Sequence, residues 1–313
     1  MSFYKPPADI YATVWIDLVA ELGWTERSNK WVEKFVGKPT HSFLEGPSFD
    51  AAGNLYVANF AFGQVVRISP EGRAEVICEY DGAPNGLQVG GDGYIYITDR
   101  QNGIMRFDPR SGRMEVHCGV ERLSPGFQGL SDLTIASNGD IYFTDQGDSH
   151  LLNPVGRMLR LSVDGRVDVL MEGIPGPNGI VLDPSERYVF VAVTYGPAIW
   201  RGRIRGDGAV DKVGVFQQLQ GGYSGTDGLA MDSKGGLAAC HNRMGTVWLF
   251  DPRGEPTYRV RSPKDAGMKI TNVAYGGPGN SRLYMTETQT GKILIADAPV
   301  PGLLTVGQKS TSH

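Results

Sequence analysis

The feature that most constrains the fold of this chain is a segment that recurs six times along the sequence. Each copy begins at a polar residue, continues with a short apolar run, and turns through a hairpin into a second apolar-rich run. The copies begin at Glu45, Asn85, Ser131, Asn178, Asp227 and Asn272, at intervals of 40, 46, 47, 49 and 45 residues. In four copies a glycine stands eight residues after the first position, where a hairpin has to turn.

Further runs of alternating apolar and polar residues follow in most copies, such as QVVRIS and RAEVIC in the first. Alternation of this kind is typical of half-buried strands. Four antiparallel strands per unit, repeated six times, predict an all-β chain folded as a six-bladed β-propeller. The alternative is a β-sandwich or barrel with accidental internal similarity.

The sixth copy lacks a clear fourth strand, so another segment has to complete the last blade. KWVEKFV (30–36) is predicted to be the N-terminal strand that does so and closes the ring, and LLTVGQ (303–308) is the rival. The domain prediction is therefore an N-terminal arm over 1–29, a propeller over 30–300 and a C-terminal tail over 301–313. The arm is expected to be a helix or an extended segment packed on the outside, and the residues after Lys309 are expected to be disordered.

Composition limits the class of protein. The 43 glycines and the charged fraction of only 20% favour a β protein with many tight turns. The net charge of −4 and the lack of a basic cluster argue against nucleic acid as a partner. Three scattered cysteines, without a CxxC pair, argue against a disulfide framework or a zinc–thiolate site. With no signal peptide or apolar span of about 18 residues, the chain is expected to be cytoplasmic and not bound to a membrane. Its oligomeric state is left open.

The first residues of the six copies should converge on one mouth of the channel. The innermost strand of each propeller blade lines the channel, so these residues form a ring, and all six are polar. Asn or Asp before Gly often only stabilises a turn, but that does not explain Glu45, nor the convergence of oxygens from separate blades. Gathering carboxylate and amide oxygens costs desolvation and charge repulsion, which a bound cation would offset. Hard oxygen ligands favour Ca²⁺, Mg²⁺ or Mn²⁺, whereas Zn²⁺ usually prefers His or Cys.

The motifs LEGPSFD, SDLTIASNGDIYFTD, PNGIVLD and TDGLAMD resemble those of the senescence-marker/gluconolactonase/luciferin-regenerating family, over roughly residues 30–300. The resemblance implies a six-bladed propeller with one divalent metal, calcium or zinc depending on the member, and lactone hydrolysis in many members. It also implies that Glu45, Asn178 and Asp227 are the metal ligands.

One departure concerns the third repeat, where many relatives have Asn-Asp or Asp-Asp and this chain has Ser131-Asp132. A metal contact from the first of these positions is therefore in doubt. Asp132 is a candidate general base near a metal-bound water, or alternatively a carboxylate that only caps nearby backbone N–H groups. Asp227 is the other candidate base. The residues proposed to contact substrate are Asn85, Arg100, Ser131, His150, His241 and Asn272.

Two classes of function follow. The first is a metal-dependent hydrolase of a lactone or similar small ester, in which the metal acts as a Lewis acid and Asp132 or Asp227 deprotonates water. The second is a non-enzymatic calcium-binding or scaffold propeller with a structural metal. Three strong ligands leave coordination positions open for water and a small-molecule substrate, which favours the enzyme. The scaffold could also carry other chemistry, such as a strictosidine-synthase-like condensation, since a fold does not fix a function.

Overall fold

A computed structural model of the chain describes residues 5–219, 221–222 and 224–309. These residues form six sheets of at least four strands, and neighbouring strands inside each blade run antiparallel. The innermost strands of successive blades contact one another in chain order, and the sixth contacts the first, so the ring closes. The predicted six-bladed propeller is confirmed. The end that was predicted to be disordered, after Lys309, lies outside the described residues.

The strands follow the predicted repeats. Two of them, β1 (Ala8–Tyr11) and β2 (Thr13–Asp17), precede the first blade. Blade one consists of β3 (Leu44–Phe49), β4 (Leu55–Asn59), β5 (Gln64–Ile68) and β6 (Ala74–Glu79). Blade two consists of β7 (Pro84–Val89), β8 (Ile95–Asp99), β9 (Gly103–Asp108) and β10 (Arg113–Gly119). Blade three consists of β11 (Leu130–Ile135), β12 (Ile141–Asp145), β13 (Gly156–Leu161) and β14 (Val167–Ile174).

Blades four to six continue the series. Their strands are β15 (Pro177–Leu182), β16 (Tyr188–Val193), β17 (Ala198–Ile204) and β18 (Val210–Gln218); β19 (Thr226–Met231), β20 (Leu237–His241), β21 (Thr246–Phe250) and β22 (Pro256–Arg261); and β23 (Ile270–Gly276), β24 (Arg282–Glu287) and β25 (Lys292–Asp297). The helices are α1 (Leu18–Leu22), α2 (Lys30–Phe35) and α3 (Val120–Leu123), with 3₁₀ turns at Phe60–Phe62 and Pro278–Asn280. Among the described residues, no helix is long and apolar enough to cross a membrane.

An N-terminal strand closes the ring, but it is not the predicted one. Strand β2 pairs antiparallel with β25 and supplies the fourth strand of blade six, while β1 adds a parallel fifth strand beside β22 in blade five. Part of the segment predicted as an external arm is therefore built into the sheets. Residues 303–308, the rival closing segment, contain no strand.

The prediction that residues 30–36 form a strand is wrong, because they contain helix α2. The side chain of Asn29 accepts a hydrogen bond from the Val32 N–H at 2.9 Å, which caps the first turn. Trp31 packs edge-on against Phe43 and Phe60, with ring centroids 5.3 and 4.5 Å away. A short apolar run such as this one suits either a strand or a helix, and here the cap and the aromatic cluster decide for the helix.

The hydrophobic core lies between the blades. Each of six clusters of buried apolar side chains draws on two neighbouring blades, including the pair formed by blades six and one. Tyr56 of blade one and Leu87 and Ile97 of blade two belong to one such cluster. Because every blade buries both faces against neighbours, closure of the ring is what buries the outer faces of blades six and one against each other.

The described part of the C-terminal tail covers the channel mouth opposite the polar ring. The Leu303 N–H donates to the Met231 carbonyl at 2.9 Å, and the Gln308 side-chain amide donates to the Tyr275 carbonyl at 3.0 Å. Both acceptors lie at the far ends of innermost strands. Between the tail and the ring is a cavity of about 160 Å³, with Asp132 and Asn272 in its wall.

Candidate active site

The predicted polar ring exists, with one correction in the sixth blade. In each blade the innermost strand starts opposite the end of the second strand, so the pairing partners fix which positions are equivalent. By that criterion the ring consists of Glu45, Asn85, Ser131, Asn178, Asp227 and Thr271. Asn272 lies one position further along, level with Asp132. The comparison of the six repeats placed Asn272 one position too early in the ring, because the hairpin between β23 and β24 is longer than those of the other blades.

Asp132 and Asn272 form a polar bridge across the channel beneath the ring. The other four blades have glycine at the equivalent position: Gly46, Gly86, Gly179 and Gly228. A Cβ atom on Gly86 would lie 2.2 Å from Asp132 Oδ1, and one on Gly228 would lie 2.1 Å from Asn272 Oδ1. The space left by these glycines admits the two side chains, and Asn272 Nδ2 donates to Asp132 Oδ2 at 3.2 Å.

Three buried carboxyl groups meet at this end of the channel. Glu45, Asp132 and Asp227 are 6%, 7% and 4% exposed. Burial, followed by the nearby Asp227 and Asp132, holds the pKa of Glu45 well above its ordinary value. Burial likewise raises the pKa of Asp132 to about 6 and that of Asp227 to about 7, with the charge of Asp132 contributing to the latter. Crowded, desolvated carboxyl groups of this kind are a frequent property of functional sites.

The hydrogen bonds of Asp227 are incomplete in a way that suits a cation. Its Oδ2 accepts a hydrogen bond from the side-chain amide of Asn242, whereas its Oδ1 is buried and has no hydrogen-bond partner within the described part of the chain. A buried oxygen without a partner is costly unless something else compensates its charge. Together with Glu45, this atom marks the part of the ring best suited to a positive ion.

Asn178 supplies an amide oxygen to the same site and is oriented by two neighbours. Its Oδ1 accepts from the Ser131 hydroxyl at 2.9 Å, and its Nδ2 lies 3.3 Å from Thr194 Oγ1. Since a carbonyl oxygen has two lone pairs, one remains for a ligand. In this arrangement Ser131 positions Asn178.

The donor set fits a hard divalent cation. Among the described residues, no group of three or more His, Cys, Asp or Glu side chains stands at metal-binding spacing. The candidate set is instead mixed, with the carboxylates of Glu45 and Asp227 and the amide of Asn178. All three supply oxygen, the donor that calcium and magnesium prefer and that zinc uses less often.

The other predicted contact residues have different surroundings. His241 is fully buried, and its ring nitrogens contact the Ser224 carbonyl at 3.1 Å and Trp248 Nε1 at 3.3 Å. His150 is exposed in a loop turn, where its Nδ1 accepts from the Leu152 N–H. Arg100 Nη2 donates to the Gly147 carbonyl at 2.9 Å and to Asp148 at 3.2 Å. Asn85 is half-buried in the ring. Their roles toward a substrate stay predictions.

Sequence reasoning missed several residues that hold the site together. Asn242, which binds Asp227, gave no sequence signal. The sequence does show a recurring threonine near the end of the second strand of four blades, namely Thr98, Thr144, Thr194 and Thr286. Three of these hydroxyls donate to an innermost-strand carbonyl of the following blade, as Thr144 does to Asn178 at 2.7 Å. The repeated threonine thus fixes the spacing of the ring.

The raised pKa values predict how the metal-free protein responds to pH. A carboxyl group whose pKa is raised by folding holds its proton more tightly in the folded chain, so its contribution to stability is lost as pH rises. For Asp227 this stability is lost as the pH rises from about 4, near the ordinary pKa of the group, to about 7, its pKa in the folded chain. In chelator, we expect the wild type to lose on the order of 3 kcal/mol of unfolding free energy relative to Asp227→Asn between pH 4 and pH 8. Denaturant unfolding of both proteins measures this difference, and parallel pH profiles would contradict it.

Comparison with known proteins shows the family that the chain matches. The family model for the SMP-30/gluconolactonase/LRE-like region matches residues 43–289. The chain is 28% identical over 273 residues to a protein of Zymomonas mobilis named gluconolactonase, covering 76% of this chain and 74% of the relative. It is 26% identical over 260 residues to lactonase drp35 of Staphylococcus aureus, covering 80% and 76%. The structure is similar to that of regucalcin, described as a calcium-binding protein, from Agrobacterium tumefaciens. The TM-score is 0.78 at 20% identity, with 97% and 100% of the two chains covered.

Proposed function

The chain belongs to the SMP-30/gluconolactonase/LRE-like family, and we propose that it hydrolyses a lactone or similar small ester at a divalent cation in its channel. The names of the two curated relatives support the lactone as substrate class. The observation that carries the proposal is the buried Oδ1 of Asp227, which lacks a hydrogen-bond partner in residues 5–219, 221–222 and 224–309, beside the buried carboxyl of Glu45. Burying these carboxylate oxygens costs free energy, and a bound cation would offset that cost.

Glu45, Asn178 and Asp227 would hold the cation, which we propose to be calcium because all three donors are oxygens; Zn²⁺, Mn²⁺ and Mg²⁺ are the alternatives. Bound there, a divalent cation would polarise the lactone carbonyl and stabilise the negative charge that develops on its oxygen.

Within this proposal Asp227 is the general base. Asn242 holds one oxygen of its carboxylate in place, and the other has no hydrogen-bond partner among the described residues. The carboxylate takes a proton from water as the water oxygen bonds to the carbonyl carbon. When the ring C–O bond breaks, the proton returns to the leaving oxygen and a hydroxy acid is formed. Asp132 is the alternative base, although both of its oxygens already accept hydrogen bonds, from the Leu133 N–H and from Asn272.

A lactone panel assayed together with metal analysis tests the proposal. We expect hydrolysis of at least one small lactone, loss of that activity in chelator, and recovery on adding Ca²⁺ back. Parallel samples with Zn²⁺, Mn²⁺ and Mg²⁺ identify the preferred ion. A chain that holds one metal per molecule and raises no lactone hydrolysis above background would favour the structural-metal alternative instead.

A further inference from the structure

Three cationic side chains lie on the mouth of the channel that carries the polar ring. Arg243 is in the loop after β20, Lys269 immediately precedes β23, and Lys38 precedes β3. The innermost strands start at this face and the second strands return to it, so all three positions share it. They come from blades five, six and one, which are consecutive around the ring.

A backbone hydrogen bond connects the segments that carry Arg243 and Lys269, and the Arg243 segment also contacts the site. The Gly245 N–H donates to the Met268 carbonyl at 2.9 Å, which joins the Arg243 loop to the residue before Lys269. Asn242, whose amide binds Asp227, directly precedes Arg243. The loop that orients the proposed base therefore also carries one of the cations.

These cations lack the partners that other basic residues of this face have. Arg100 and Lys34 both pair with Asp148, at 3.2 and 3.8 Å. Among the described residues, none of Lys38, Arg243 and Lys269 has a carboxylate oxygen within 4.0 Å. The charge of Glu287 raises the pKa of Lys269, but the oxygens of Glu287 accept hydrogen bonds from the N–H groups of Gln289 and Thr290 and lie beyond 4.0 Å from the lysine nitrogen.

The three positive charges repel one another, and Arg243 has an unfavourable backbone conformation. The pKa of Lys269 is lowered by burial and then by the positive charges of Arg243 and Lys38. Arg243 has a backbone φ of 63°, a left-handed conformation that is uncommon for a residue other than glycine. Clustered like charges, only partly offset by Glu287, and a strained arginine destabilise the free protein, and strain of this kind is concentrated at functional sites.

We propose that Lys38, Arg243 and Lys269 bind an anionic substituent of the substrate, so that the preferred substrate is a lactone carrying a carboxylate or a phosphate. This inference rests on the proposed lactone hydrolysis and names its substrate class. With the lactone carbonyl at Glu45 and Asp227, the substituent extends toward blades five, six and one. The product is then a hydroxy acid with a second anionic group.

The test compares matched lactones: γ-butyrolactone, its ring-carboxylated derivative, and a derivative bearing a phosphorylated hydroxymethyl group. We expect kcat/KM to be at least tenfold higher for one of the anionic lactones than for the neutral one, and the ranking of the two anionic ones identifies the group. In Lys269→Gln or Arg243→Gln, the ratio of anionic to neutral kcat/KM should fall about tenfold, as expected for one charge-assisted hydrogen bond. Lys234→Gln, the same substitution on an exposed residue at the opposite mouth, should leave the ratio unchanged.

Failure of this inference can be distinguished from failure of the proposed function. Hydrolysis of the neutral lactone without an anionic preference, or a ratio that Lys269→Gln and Arg243→Gln leave unchanged, overturns the inference alone. If no lactone is hydrolysed, calorimetry with the stable lactams pyrrolidinone and pyroglutamate measures the same charge preference without catalysis. Tighter binding of pyroglutamate that is weakened in Lys269→Gln supports the anion site, and equal binding of the two lactams overturns it.

Discussion

Asp227→Asn is expected to lower kcat for lactone hydrolysis by about 10²–10⁴-fold, the usual contribution of a positioned general base. The substitution keeps the shape of the side chain but removes its charge and its capacity to accept a proton. Because Asp227 is also a proposed metal ligand, the rate has to be measured at saturating metal, with metal content determined in the same samples. A kcat within about threefold of wild type at full occupancy would rule out Asp227 as the base.

Asp132→Asn is the matched control, since it makes the same chemical change two blades away and one position further along the innermost strand. Both oxygens of Asp132 already accept hydrogen bonds, so we expect this variant to change kcat by less than tenfold. A loss of about 10²-fold or more in Asp132→Asn, with normal metal content and a nearly normal rate in Asp227→Asn, would assign the base to Asp132 instead.

Glu45→Gln is expected to have opposite effects on metal binding and on the stability of the metal-free protein. The glutamine removes a ligand charge, so divalent metal should bind at least about tenfold more weakly and the rise in melting temperature on adding metal should shrink. In chelator at pH 8, however, the variant should be more stable than wild type, because it relieves a buried carboxylate crowded by Asp227 and Asp132.

Calorimetric titration with Ca²⁺ and thermal unfolding with and without chelator measure both effects. Glu75→Gln offers a control, because Glu75 is an exposed partner of Arg67 on an outer strand and should affect neither quantity. Metal affinity and stoichiometry that are unchanged in Glu45→Gln would remove Glu45 from the ligand set.

The architecture and most of the ring could be predicted from the repeat pattern alone. Six copies of one hairpin pattern require six equivalent strands, and strands that are apolar on alternate residues have to pack against neighbours. Four hairpin glycines, Gly53, Gly93, Gly139 and Gly235, take the left-handed conformation that their turns need, with φ between 81° and 91°. These properties depend on residues close together in the chain, so the pattern predicts them.

The features that the sequence pattern could not predict depend on residues far apart in the chain. The closing strand was misplaced because residues 30–36 suit a helix or a strand equally, and Asn29 together with Phe60 favours the helix. The bridge between Asp132 and Asn272 joins residues 140 positions apart, and it forms because Gly86 and Gly228 leave space for it.

The same reason explains the finer features of the site. Local sequence pattern sets periodicity and turns, whereas the pairing of a buried oxygen, as between Asn242 and Asp227, is set when closure of the ring brings strands and loops together. The three unpaired cations at the mouth likewise belong to loops of three different blades. The sequence could therefore predict which residues surround the channel, and only the closed ring decided which of them bind one another and which remain free to bind a ligand.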